Sequence, residues 1–221
     1  MKIDPNKRLF VADICNTLFN INTTFGFIDF YLKQRKSYVR SVAFRFLVAK
    51  WSPLFYILII ANKLSGKDWH KKMALRLLKG EAKSDLYQEA EKFYTNKLCH
   101  LQIEPCYRLL EQAQQNGEKI VLLSSSIDPV VYGISKAIGA EYSSTEIAYD
   151  KERCAGFVLR ELSGNKDKIL SDFSGFSSIT VMTDNFSDKR LLEKAHIRYV
   201  VLNHPGDRKK WRGLEANFIE L

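Results

Sequence analysis

No Cys-x-x-Cys pair occurs in this 221-residue chain, and Cys15, Cys99, Cys106 and Cys154 lack the spacing of a disulfide framework. The four histidines, His70, His100, His196 and His204, are scattered as well, with no zinc-ligand spacing. These absences exclude a disulfide scaffold and a structural zinc module. The cysteines read as reduced thiols, which fits a cytoplasmic protein. A long hydrophobic run is also missing. The longest, Trp51 to Ala61, carries Pro53 and falls short of the roughly 20 residues that a membrane span needs. It reads as a buried helix, with an interfacial helix touching membrane as the alternative. Met1 to Lys7 is polar, so no signal peptide is expected. There is no internal repeat and no low-complexity segment.

What is present is an ordinary globular composition, 46% hydrophobic and 27% charged, long enough to bury a sizeable core. The length suits one large domain or a core with an inserted subdomain. The net charge is +9. Two clusters contribute to it: Lys33, Arg35, Lys36, Arg40 and Arg45, then Arg208, Lys209, Lys210 and Arg212. Such clusters suit an anionic substrate, an anionic lipid surface or nucleic acid. No aromatic-basic nucleic-acid motif accompanies them, which places nucleic acid last.

Hydrophobic patterning predicts a short buried strand from Arg8 to Asp13. From Thr23 to about Leu101 only helical stretches are expected, broken near Ser52-Pro53, Ser65-Gly66 and Gly80. Asp68 is a predicted N-cap, and Ser84 or Asp85 is predicted to cap the next helix. The pattern then changes. Helix is expected over Cys106–Gln115, strand over Ile120–Leu123, and helix over Pro129–Ile138 with Gly139 as its stop. A hairpin is expected around Asp150-Lys151, then a short helix near Lys166–Phe173. Strand Ile179–Met182, helix Ser187–Ala195 and strand Tyr199–Leu202 complete the pattern. Alternating strands and helices imply an α/β fold: a three-layer, Rossmann-like, mostly parallel sheet. The helical stretch reads as an all-helical cap, residues 19–101, inserted into a core of residues 1–18 and 102–221.

Ligands of open α/β sheets sit at the carboxyl ends of the strands. After the first strand come Asp13, Cys15, Asn16 and Thr17. After the second come Ser124, Ser125 and Ser126. After Ile179–Met182 come Asp184 and Asp188, and Lys166 opens a helix. This set has a chemical logic. A carboxylate can attack phosphorus and form an acyl phosphate. Two anions in one place call for a cation, and hard oxygen ligands suit Mg²⁺. Asp13 and Asp184 could supply those oxygens, Ser124 could hold phosphoryl oxygen, and Lys166 could neutralise charge.

The run Phe10-Val-Ala-Asp13-Ile-Cys15-Asn-Thr17 resembles the DxDxT motif of the haloacid dehalogenase superfamily. Val121 to Ser126 resembles its second motif, Lys166 to Leu170 its third, and Thr183 to Asp188 its fourth, GDxxxD. Pro129 after the triple serine and Asn203-His-Pro205 after the last strand resemble the phosphoserine-phosphatase-like branch. The resemblance runs nearly the whole length. It implies that Asp13 is the nucleophile of a phosphate-monoester hydrolase. It implies that Mg²⁺ is held by Asp13, the backbone carbonyl of Cys15 and Asp184. Phosphate would be held by Ser124 and Ser125 with Asn16 and Lys166. Asp188 would order Lys166 and the metal shell, and Asn185 would contact metal-bound water or phosphate.

One position departs from the pattern: Cys15 stands where the family has its acid/base aspartate. A thiol of ordinary pKa is a poor acid or base for either half of the reaction. Three readings follow: a slow or specialised phosphatase, a phospholigand-binding domain that turns over little, or another superfamily reaction. The cap would set the substrate. Most of its aromatics are expected in the core. Yet Phe44, Phe46, Trp51, Phe55 and Tyr56 with Arg40, Arg45 and Lys50 form a basic, aromatic segment. It resembles that of relatives acting on lipid phosphates. A phosphorylated small molecule and a lipid phosphate at a membrane surface both remain as substrate classes.

Overall fold

The apolar run at the start of the chain has two faces to satisfy, because side chains of a strand alternate between them. In β1 (Asp4–Ala12), Leu9 and Val11 enter one hydrophobic cluster while Phe10 and Ala12 enter the other. β2 (Lys119–Ile127) divides the same way, Val121 and Leu123 against Ile120 and Leu122. Both strands are therefore buried on both faces and sit at the middle of the sheet. The computed structural model describes residues 4–169 and 175–221.

The other strands are β3 (Glu141–Asp150), β4 (Arg153–Arg160), β5 (Phe176–Thr183), β6 (Ile197–Leu202) and β7 (Asn217–Glu220). Their order in the sheet is β4-β3-β2-β1-β5-β6-β7. All pairings are parallel except β3 with β4. Val11 lies level with Val121 on one side and Val181 on the other. The chain runs outward from β1 through β2 and β3, then returns to the far side of β1 at β5. The switch point, and with it the natural ligand crevice, lies at the carboxyl end of β1.

Among the described residues four α-helices join these strands: α6 (Glu104–Gln115), α7 (Asp128–Ile138), α8 (Lys166–Ile169) and α9 (Lys189–Glu193). Between β1 and α6 the described chain is helical apart from isolated bridges. Its helices are α1 (Thr23–Gln34), α2 (Tyr38–Val48), α3 (Pro53–Ser65), α4 (Trp69–Arg76) and α5 (Lys83–Asn96). The architecture is the α/β, Rossmann-like sheet with an all-helical insertion that the pattern predicts. The insertion is not loosely hung. Phe27, Tyr31, Leu75 and Phe93 are fully buried in the same cluster as Phe10 and Leu122. Each such side chain contributes about 1.5–3 kcal/mol of burial.

Several expectations need correction. β1 ends at Ala12, so Asp13 opens the loop; its N–H still donates to Met182 O at 2.9 Å. β2 does not stop at Leu123 but runs through the triple serine, with its register to β3 shifting between Ser124 and Ile127. Ala82, not Ser84 or Asp85, precedes α5, and no side chain caps it. Asp68 does cap α4, accepting from Lys71 N. The hairpin turns at Lys151 and Glu152, both with positive φ, as a two-residue turn matching strand twist requires. Phe186–Asp188 is a 3₁₀ turn and only Lys189–Glu193 is α-helix. Of the helix expected near Lys166–Phe173, residues 170–173 lie outside the described residues. β7 was not expected at all.

The largest correction concerns Trp51 to Ala61. It is not a buried helix: within α3 only Leu58 is buried. Tyr38, Phe46, Trp51 and Tyr56 are exposed too, although Phe19, Phe27, Tyr31 and Phe93 are core as expected. Among the described residues no single helix is long and apolar enough to cross a membrane.

Candidate active site

Asp13 emerges at the carboxyl end of the central strand, 7% exposed. Its Oδ1 lies 2.9 Å from Nζ of Lys166 but outside hydrogen-bond alignment, so this buried oxygen accepts no well-formed hydrogen bond. Nζ of Lys166 also donates to Asp188 Oδ2 at 2.8 Å. That same oxygen accepts from the Thr183 hydroxyl. Burial opposes the charge on Lys166, but the two flanking carboxylates hold its pKa above the usual lysine value. Asp13 is pushed the other way for a carboxylate. Burial raises its pKa and the charge of Asp188 adds, while Lys166 opposes.

Asp184 faces this line from the end of β5. Its Oδ1 accepts from the Thr17 hydroxyl at 3.1 Å and its Oδ2 from the Asn203 amide at 3.1 Å. The Thr17 hydroxyl in turn accepts from Asp184 N. Asn203 also donates to Asn16 O, tying the loop after β1 to the end of β6. Asn16 has φ +53, a left-handed conformation that asparagine tolerates, and this turns the chain sharply behind Asp13. Burial first, and the charge of Asp13 second, push the Asp184 pKa up to about 7. A low-dielectric site with two carboxylates and one unaligned oxygen fits a hard cation. Among the described residues no cluster of three His, Cys, Asp or Glu side chains could hold a metal. A cation here would rest on two carboxylates, a main-chain carbonyl and water, a donor set of the Mg²⁺ kind.

Ser124 is fully buried on β2 and its hydroxyl accepts from Ser126 N at 3.2 Å. Ala12 is level with Leu122, so Ser124 stands at the same sheet edge as Asp13. Ser125 offers its carbonyl to Nζ of Lys71, at 2.7 Å. Asn185 caps the 3₁₀ turn, its Oδ1 accepting from Ser187 N.

Cys15 is not idle. Its Sγ lies 3.1 Å from the Thr23 hydroxyl and 3.1 Å from the Ser126 hydroxyl, and those two hydroxyls are 2.6 Å apart. Burial raises the thiol pKa and the charge of Asp13 raises it further, and both favour the neutral thiol.

Sequence reasoning named Ser126 and Asn203 without their partners and missed Thr23 and Lys71. Thr23 and Ser126 hold Cys15, Asn203 holds Asp184, and Lys71 enters from α4. Nζ of Lys71 reaches Ser125 O, the Thr145 hydroxyl and both oxygens of Glu161. Lys71, Glu161, Cys15 and Ser126 line a small polar cavity of about 100 Å³. Nothing in the local sequence of Lys71 signals this, since its partners lie 54 to 90 residues away.

A carboxylate at the switch point, a lysine between two acids and a second aspartate from the neighbouring strand define a class: α/β proteins that gather buried acids and a lysine at one sheet edge. The chain belongs to the haloacid dehalogenase-like hydrolase family, whose model matches residues 10–193. Solved structures share the fold. A protein of unknown function from Bordetella pertussis Tohama I is 16% identical, with a TM-score of 0.77, covering 96% of this chain and 98% of its own. A phosphoserine phosphatase in apo form is also 16% identical, with a TM-score of 0.59, covering 96% and 92%. Cytosolic 5′-nucleotidase IIIB bound to cytidine is 13% identical, with a TM-score of 0.61, covering 98% and 80%. Comparison with curated proteins gives no match.

Proposed function

We propose that this chain is a Mg²⁺-dependent phosphatase that hydrolyses a phosphate monoester through an aspartyl phosphate on Asp13. The observation that carries the reading is the buried line Asp13, Lys166, Asp188, with Asp184 fixed opposite by Thr17 and Asn203. In the first half-reaction a carboxylate oxygen of Asp13 forms a bond to phosphorus and the ester P–O bond breaks. Lys166 stabilises charge gathering on the phosphoryl oxygens, and Ser124 and Ser125, with Asn16, form the rest of their cradle. In the second, water adds to phosphorus and Asp13 leaves as carboxylate with release of phosphate. Asp13, the Cys15 carbonyl and Asp184 would hold Mg²⁺, which when bound would supply Lewis-acid charge compensation. The division into a core of residues 1–18 and 102–221 and a cap of residues 19–101 belongs to this reading.

Cys15 shapes the rate. The departing oxygen needs a proton and the attacking water must lose one, and a thiol held protonated by burial serves the second need poorly. Substrates whose leaving group departs as a weak base are favoured. The same observation supports a second reading, in which the domain binds a phosphorylated ligand and turns over little.

Phosphate release from an aryl phosphate with Mg²⁺ tests both. Wild type should turn over, Asp13→Asn should not, and Cys15→Asp should gain on the order of 10²–10⁴-fold by restoring acid–base help. A silent wild type with an active Cys15→Asp would favour the binding reading. Undiminished turnover in Asp13→Asn would end the nucleophile assignment.

A further inference from the structure

The surface of α2 and α3 is unlike the rest of the molecule. Trp51 is 68% exposed, Ile57 60%, Ile60 59% and Leu64 83%, with Tyr56 beside them. Large apolar side chains gathered in this way are rare on the free surface of a water-soluble domain and mark a contact site. The charge around them is one-sided. From Arg35 to Lys67 the chain has seven Lys and Arg residues and no Asp or Glu. Arg35 and Arg40 pair with Asp85 and Glu81 from outside this stretch. Among the described residues, Arg45, Lys50, Lys63 and Lys67 have no acidic partner.

We propose that the α2–α3 face docks the protein on an anionic lipid bilayer. The inference goes beyond the phosphatase reading and does not depend on it. Three observations select a bilayer over another occupant. First, the apolar residues are flanked along α2 and α3 by lysines and arginines without an acidic partner, whose long stems can lie along apolar surface while their heads reach phosphate groups. Second, Trp51 and Tyr56 are amphipathic rings suited to the boundary between acyl chains and headgroups. Third, neither helix is long enough to cross by itself: α3 has 13 residues, and although α2 and α3 together have the length and apolarity of a broken span, they meet at a 59° bend. A helix of that length reaches only about 20 Å, short of the roughly 30 Å hydrocarbon core.

The face is also continuous with the active site. Ile59 of α3 borders an apolar groove of about 350 Å³ that Phe25, Val48 and Phe55 also line. Nε2 of His70, a side chain only 8% exposed, has no hydrogen-bond partner at this groove. Phe25 and Asp68 line both this groove and the polar cavity beside Cys15. A bilayer on α2–α3 would therefore lie at the entrance to the chemistry.

The test is flotation of the full chain with vesicles of phosphatidylcholine alone or of phosphatidylcholine with phosphatidylglycerol. Wild type should float with the anionic vesicles and not the neutral ones, and added salt should weaken this roughly tenfold or more by screening. The triple variant Ile57→Ser, Ile60→Ser, Leu64→Ser should lose flotation, and so should Arg45→Glu with Lys63→Glu. Circular dichroism checks that each variant keeps its helices. The emission of Trp51 should shift to the blue on anionic vesicles, and the Trp51→Phe variant should lose the shift. No flotation at low salt would overturn the proposal. So would flotation that both variants retain. A wild type that fails to float but sediments as a dimer, with the triple variant monomeric, would instead assign the face to a second copy of the chain.

Discussion

The chemistry of single residues turns on where charge is buried. Asp184 is the clearest case, because burial and Asp13 together raise its pKa to about 7. Its unfolded value is near the ordinary 3.8. Between those values the folded state holds a proton that the unfolded state has lost, so metal-free stability falls as pH rises through this window. The expected result is a melting temperature that declines from pH 5 to about pH 7.5 in metal-free wild type, and declines less in Asp184→Asn, which cannot ionise there. Identical pH profiles for the two proteins would refute the assignment. Glu161 behaves oppositely. Burial opposes its ionisation, but Lys71 and the Thr145 hydroxyl hold its pKa below the usual value. Its contribution to stability is therefore present above the unfolded pKa and is lost as pH falls. Glu161→Gln should flatten the acid limb of the stability profile, and thermal melts below pH 5 read this out.

At the level of elements, the joint between the helical insertion and the sheet rests on a close helix contact. Gly133 of α7 sits against α5. A Cβ at this position would meet the carbonyl carbon and oxygen of Ala90 at 2.8 Å. The neighbour is main chain and cannot step aside as a flexible side chain could. Gly133→Ala should therefore force α5 away and destabilise the protein by about 1–3 kcal/mol, the usual range for overpacking. Chemical denaturation measures this, and a neutral Gly133→Ala would mean that α5 yields without loss. Two further devices fix the insertion. Main-chain hydrogen bonds link Gly80, Glu81 and Lys83 to Glu152 and Cys154 of the hairpin. Lys71 of α4 holds Ser125 O, so the helix that closes the polar cavity also fixes the strand end carrying the serines. A Lys71→Met change should lower phosphate affinity while Lys166 and Asp188 remain in place; ligand-induced thermal shift with inorganic phosphate checks it, and an unchanged shift would free Lys71 of that role.

For the molecule as a whole, the site predicts linkage between metal and stability. Its two carboxylates repel each other without a cation, so Mg²⁺ at a hundredfold excess over its Kd should add ~2.7 kcal/mol. In a chain of this size that corresponds to a rise in Tm of about 5–10 °C. Asp184→Asn and Asp13→Asn should each lose most of the rise, and a wild type indifferent to excess Mg²⁺ would remove the cation from the site. Much of this site was legible before the fold. Asp13, Ser124, Lys166, Asp184 and Asp188 each follow or open an element whose pattern the chain states locally. Thr23 and Lys71 were not, and Asn203 was marked only by resemblance, because their roles depend on partners far away in sequence. Thr23 meets Ser126 across 103 positions and Asn203 meets Asn16 across 187.

The sequence by itself determined the order of strands and helices as far as β6, the two-faced burial of β1 and β2, and the sheet edge where the charged residues gather. These follow from period-two alternation and from turn chemistry, which are local properties. The tertiary structure alone decided three things. It set the direction in which the Cys15 pKa moves, because burial beside Asp13 is a matter of packing. It carried β2 through the serines, because pairing with β3 outweighs their weak strand preference. It left α3 exposed, because an apolar run states only that it should leave water, and the space left by its neighbours decides whether the protein's own core can receive it.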